Sequence, residues 1–360
     1  MVLPRGLVVL LGTAAAVVTG AGIMAMSWLI GPVFLALTLV IAVSPLHSWL
    51  RRKGLPGWLA AAALVVCVYA ILLSLVVVLV VSVAQLATEL PRYADRAGAL
   101  ADSAVGELAR FGVGTAELSR VADSLDVGRV VGILSTVLSS VSSLASNIVF
   151  LLCLLLFLSV DANTAGARIA AVAADRPQVA AALGRFASGT RDYLVVSTVF
   201  GLIVAVLDGV ALALMGIPLP VLWALLSFIT NYIPNVGFVL GLVPPVLLAL
   251  LESGWELAVW VVVVYSVLNF VVQTLIQPRF VGDSVGLSTT VTFLALLFWA
   301  WLLGALGAIL AIPLTLLAKL LLVDVDPKAR WADAFLTARV RPRNTVEPGA
   351  VESGAVESDR

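Results

Sequence analysis

The chain has 360 residues, of which 62% are hydrophobic and only 12% charged, with 21 basic side chains against 21 acidic ones. A soluble domain is about a quarter charged, so a chain this poor in charge cannot cover a water-facing surface. The zero net charge also leaves no basic footprint for nucleic acid. With a mean hydropathy of +1.14, the composition predicts a polypeptide dissolved in lipid.

Apolar runs recur that are long enough to cross roughly 30 Å of hydrocarbon as helices. Helices satisfy their own backbone groups where water is absent, and the short alternating segments of a membrane barrel do not occur. The expected fold is all-α and polytopic. It has about eight transmembrane helices, including broken or re-entrant segments, plus amphipathic extramembrane helices.

In chain order, Pro4, Arg5 and the apolar run from Leu7 imitate a secretory signal. A second run follows almost at once, so the first is read as an uncleaved span over Leu7–Ile30, followed by Pro32–Trp49. After the basic cluster His47, Arg51, Arg52 and Lys53, a third span covers Trp58–Leu86. Residues 89–130 are rich in charge but keep apolar residues at helical spacing (Leu90, Tyr93, Ala97, Leu100, Ala104, Leu108, Phe111), the pattern of an amphipathic helix ended by Gly112 and Gly114. Span four, Val130–Val160, carries Ser135, Ser139, Ser142 and Ser146, small residues that permit close helix approach. A second wet segment, 161–192, precedes span five at Tyr193–Met215 and the turn Gly216–Pro220.

Val221–Leu251 is too long for one simple span. It is interrupted by Thr230-Asn-Tyr-Ile-Pro-Asn-Val-Gly237 and by Pro244-Pro245, which fits a span or hairpin with an unwound polar middle. A further span covers Leu257–Ile276, and the last apolar block reaches Val323, broken at Gly304, Gly307 and Pro313. The resulting organisation is helices one to three over 1–88, the amphipathic segment over 89–130, helices four to eight over 131–323 and a polar tail over 324–360 with a disordered end. The positive-inside rule places the 51–53 cluster and Lys328, Arg330, Arg339, Arg341 and Arg343 in the cytoplasm, with both termini inside.

Three features could carry function. Asp208 lies mid-span, where an acid costs roughly 2.5–3.5 kcal/mol on insertion scales. Such an acid serves either as a proton or cation site or as a protonated group bonded to a neighbouring helix. Asn269, Gln273 and Gln277 stand at successive spacings of four, one polar stripe that suits a pathway or interhelical bonding. The Thr230–Gly237 break offers Asn231 and Asn235 around Pro234, either as a substrate site or as a kink.

Gly282-Asp-Ser-Val-Gly286 matches a hydrolase pattern, but that motif needs a strand–turn–helix setting and a histidine base. The sole histidine is His47. No P-loop, paired histidine ligands or Cys-x-x-Cys motif occurs, so no cofactor or metal is expected. Cys67 and Cys153 fall within apolar runs and read as small packing residues.

The second half resembles the AI-2E transporter family. The resemblance rests on Met215-Gly-Ile-Pro-Leu-Pro220, Asn231-Tyr-Ile-Pro-Asn-Val-Gly237, Gln277-Pro-Arg-Phe-Val-Gly-Asp-Ser-Val-Gly-Leu287 and Leu303-Gly-Ala-Leu-Gly-Ala-Ile-Leu-Ala-Ile-Pro-Leu314. It implies a transporter of the bacterial inner membrane, not an enzyme, that exports a small polar solute such as the quorum-sensing signal autoinducer-2. The alternatives are monovalent cation/proton antiport through Asp208 and a membrane scaffold that transports nothing. The resemblance further implies a homo-oligomer, with a pentamer as one form. Gln277 stands where members often carry an acid, and Ser288-Thr289 where others carry His-Pro. A coupling role for those positions is therefore not carried over to this chain.

Overall fold

In a computed structural model, residues 4–110, 127–234, 236–277, 287–325 and 336 are described, and all the main elements are helical. α1 covers Arg5–Ala25 and α2 Ser27–Arg52, so the first boundary falls at Met26 rather than beside Pro32. Pro32 lies just past the first turn of α2, where its missing N–H leaves the Trp28 carbonyl without its usual donor and the helix continues nonetheless. α3 (Gly57–Arg110) joins the third span and the first part of the charged segment into one helix about 80 Å long. Residues 111–126, including Gly112 and Gly114, lie outside the described residues, as do the side chains of the span-four serines.

α4 covers Val127–Asp175 and α5 Pro177–Leu214. The second wet segment is thereby divided between the end of α4 and the start of α5, with Pro177 in the first turn of α5 where its missing N–H is harmless. Among the described residues, five helices are long and apolar enough to cross a membrane: Ser27–Arg52, Gly57–Leu86, Pro177–Leu214, Trp255–Ile276 and Thr289–Ile309. Ile148–Ala162 and Thr164–Asp175, bent by 56°, make a sixth if they form one span. Val66, Phe157, Leu202, Trp260 and Leu294 are among many large apolar side chains exposed along these helices. Water would not tolerate such surface, but lipid does. Cys67 and Cys153 are exposed on α3 and α4 and so take no part in interior packing.

α6 (Pro220–Thr230) and α7 (Gly237–Ser253) form the hairpin suggested by the interrupted run. At 1.5 Å per residue, α6 reaches only about 17 Å, short of the bilayer core. The two helices close on small residues. A Cβ on Gly237 would lie 1.9 Å from the Thr230 carbonyl oxygen, and one on Gly241 3.1 Å from Thr230 Oγ1. α8 covers Trp255–Asn269 and continues through a π-helical turn, Phe270–Ile276.

α9 (Thr289–Ile309) breaks at Gly304, whose φ of 67° and ψ of −145° suit glycine alone. The chain then folds back, a Cβ on Gly307 would meet the Trp299 carbonyl oxygen at 1.9 Å, and Trp299 Nε1 donates to Thr315 Oγ1 (3.0 Å) in α10 (Ala311–Lys319). α5 holds both hairpins. Its first half packs Ala182 and Phe186 with Phe34 of α2 and with Leu302, Leu303, Leu310 and Leu314 of the second. Near its end, Leu212 packs with Leu222, Trp223 and Leu248 of the first, and with Val261 and Tyr265 of α8.

Candidate functional site

The polar residues of the membrane interior gather where α5, the tip of the α6–α7 hairpin and the end of α8 meet. α5 supplies Tyr193, Ser197, Gly201 and Asp208, spaced by four, four and seven and therefore on one helical face. α6 supplies Ser227 and Thr230, and Asn231 caps its end on the same side. From α8 come Tyr265, Asn269, Gln273 and Gln277. Residues four apart drift around a helix of 3.6 residues per turn. The wider π turn at Phe270–Ile276 offsets that drift and keeps the last three near one line.

Asn231 is the hub. Its amide nitrogen donates to the Ser197 carbonyl (3.0 Å), and its oxygen accepts from Gln273 Nε2 (3.3 Å). Gln273 Nε2 also donates to Asn269 Oδ1 (2.7 Å), and Asn269 Nδ2 donates to the Tyr265 carbonyl (2.9 Å). Gly201 makes room for this arrangement, because a Cβ there would stand 2.7 Å from Asn231 Nδ2. Two tyrosines secure the hairpin tip to α5. Tyr193 donates to the Tyr232 carbonyl (2.7 Å), and the Tyr232 and Thr198 hydroxyls lie 2.7 Å apart.

Beside the hub is a pocket of about 250 Å³ lined by Tyr193, Ser197, Asn231, Pro234, Gln273 and Gln277, with Ile233 and Phe238 as its apolar edge. Among the described residues its lining contains no acid and no base. A cavity of this size, with a few convergent hydrogen-bonding groups, suits a small uncharged polar molecule.

Asp208 is placed differently. It is fully buried, accepts from the Ser227 hydroxyl at 2.6 Å, and does not line the pocket. Its Oδ1 has no hydrogen-bond partner among the described residues. The structure thus brings Asn231, Pro234, Gln273 and Gln277 to the pocket, Asn269 behind it, and Asp208 deeper along the same seam. Asn235 and most of the loop after Gln277 lie outside the described residues.

Sequence reasoning missed Tyr193, Ser197 and Ser227. The signal was present in part, since Tyr193 and Ser197 precede Gly201 and Asp208 on one face of α5. Ser227 was harder to find, because a serine in an apolar helix is ordinary until its partner is known.

Fold and site together define a polytopic helical membrane protein with a solute-sized polar pocket at a broken hairpin. Residues 11–325 match the family described as AI-2E family transporter, and the chain belongs to that family. It is 30% identical over 328 residues to a protein of Haemophilus influenzae described provisionally as a transport protein, covering 90% of this chain and 94% of that one. It is 29% identical over 318 residues to the AI-2 transport protein TqsA of Escherichia coli K12, covering 88% and 92%. The E. coli K12 protein YhhT, also described provisionally as a transport protein, is 31% identical over 316 residues, covering 88% and 90%.

Proposed function

We propose that this protein exports a small, uncharged polar solute, such as autoinducer-2, across a bacterial inner membrane, with both termini in the cytoplasm and the chain assembled as a homo-oligomer. The observation that carries the reading is the pocket at the hairpin tip, whose polar groups are hydroxyls and amides and whose lining, among the described residues, holds no ionised side chain. The name of the E. coli relative, an AI-2 transport protein at 29% identity, supports the solute class. A neutral hydrogen-bonding cavity costs a neutral solute little desolvation, whereas an ion entering it would lose hydration without a counter-charge.

A second reading, exchange of a monovalent cation for a proton, has its own support in Asp208. A carboxyl held inside the membrane marks an ion pathway, and one oxygen of Asp208 has no partner among the described residues. Purified protein in liposomes separates the two. Export of loaded autoinducer-2 that ignores sodium and proton gradients is expected. Gradient-coupled proton movement, abolished by Asp208→Asn, would replace that reading with the second. Absence of both fluxes would leave a membrane scaffold.

A further inference from the structure

The hydrogen-bond network behind the pocket fixes which way each amide points. Asparagine and glutamine can each present either an oxygen or an NH₂ group, and only the network decides between them. Here the chain of amides ends at two backbone carbonyls, which can only accept. The Ser197 carbonyl accepts a hydrogen bond from Asn231 Nδ2, so Asn231 turns Oδ1 toward Gln273. The Tyr265 carbonyl accepts one from Asn269 Nδ2, so Asn269 also turns Oδ1 toward Gln273. Gln273 answers both with its single nitrogen, at 3.3 and 2.7 Å. That nitrogen has two protons and both are committed. What Gln273 retains is Oε1, which accepts no hydrogen bond among the described residues, and Gln273 lines the pocket.

The Tyr193 hydroxyl adds to this polarity. Tyr193 spends its proton on the Tyr232 carbonyl and keeps only acceptor capacity. Turning the Gln273 amide around would set its oxygen against two other amide oxygens, losing two hydrogen bonds and adding repulsion. The acceptor is therefore held in place before any solute arrives, the condition under which a polar group discriminates most strongly.

We propose that Gln273 is a specificity-determining residue and that the pocket takes uncharged solutes rich in hydroxyl donors, rejecting solutes of similar size that carry only acceptors. This rests on the transport reading for its physiological meaning but not for its chemistry. Asn231 and Asn269 act through Gln273 as positioning residues.

The test is equilibrium binding of tritiated xylitol, a five-carbon polyol, to the full-length protein in detergent, with unlabelled xylitol and the acceptor-only ether diglyme as competitors. Xylitol should compete and diglyme should fail at a tenfold higher concentration. Gln273→Met, close in shape but without the acceptor, should weaken xylitol binding about tenfold, as expected for one preorganised hydrogen bond. Asn269→Leu removes one of the two bonds that fix the Gln273 amide, lets it turn its NH₂ toward the pocket, and should narrow the preference for xylitol over diglyme while leaving binding detectable.

Equal competition by diglyme, or no xylitol binding by the wild-type protein, would overturn the proposal without reference to any variant. Wild-type affinity in Gln273→Met would overturn the role of that residue, and an unchanged preference in Asn269→Leu the positioning. Xylitol binding with the expected selectivity but no solute flux in liposomes would remove the transport reading and leave this one standing. Flux indifferent to Gln273 would do the reverse.

Discussion

The α6–α7 and α9–α10 hairpins use one backbone device for two ends. Each folds the chain back against a glycine, Gly237 on the Thr230 carbonyl and Gly307 on that of Trp299, with room for no more than a hydrogen. Their tips diverge. The first presents Asn231 and Tyr232 to α5 and α8 through side-chain hydrogen bonds and leaves a pocket beside them. The second buries Leu302, Leu303 and Leu310 against α2 and α5, and Leu306 presses its Cδ1 to within 3.2 Å of where a Gly31 Cβ would lie. A helix that turns back inside a membrane must settle the polar groups it frees. The first hairpin does so with directional side-chain bonds and the second with a local glycine turn and close packing. Among the described residues, the first solution leaves hydrogen-bonding capacity over for a solute.

The comparison breaks most readily at the shared device. Gly237→Ala and Gly307→Ala both force a methyl group into backbone, and each should cost more than about 4 kcal/mol, seen as loss of the monodisperse peak in detergent. If one of the two were tolerated, the hairpins would not be equivalent in construction. Gly304→Ala strains only a dihedral and should cost about 1–3 kcal/mol, read as a lowered Tm.

The tips should dissociate stability from function. Leu303→Ala opens a void in the second and should cost about 2–5 kcal/mol, with solute flux per folded molecule unchanged. Asn231→Leu removes two hydrogen bonds at the first and should cost only about 1–3 kcal/mol, yet it dismantles the pocket wall and should abolish flux. Thermal unfolding and liposome efflux on the same preparations check both. Equal flux loss in the two variants would sink the division of labour.

Much of this contrast was legible in the sequence, though unevenly. The interruption at Thr230–Gly237 announced a span or hairpin with an unwound middle because polar residues and a proline stood in an apolar run. The second hairpin left only Gly304, Gly307 and Pro313, which read as breaks, since glycine in a membrane helix serves packing as often as turning. The Asn269, Gln273 and Gln277 stripe was visible as a period, but its polarity was not. The direction of each amide depends on the Ser197 and Tyr265 carbonyls, and backbone acceptors leave no mark on a sequence. Asp208 stood out by cost alone, and cost could not say whether it faced the pocket or Ser227.

The smallest expected effects lie at the hairpin bases, where the two regions again run parallel. Arg96, on the charged extension of α3, meets Glu252 in the last turn of α7 at 2.6 Å, and Arg185 of α5 meets Asp324 just beyond α10 at 3.5 Å. Both arginines are at least a third exposed, so water and salt screen each pair. Arg96→Ala should cost at most about 1 kcal/mol, and Arg185→Ala, longer and more exposed, about 0.2 kcal/mol. Both differences should vanish near 1 M salt, where the screening length falls to about 3 Å. A salt-resistant loss at Arg96 alone would mean that the extension of α3 clamps the first hairpin through packing around buried Tyr93 rather than through charge. The hairpin that carries the pocket would then be the one mechanically tied to the extended helix.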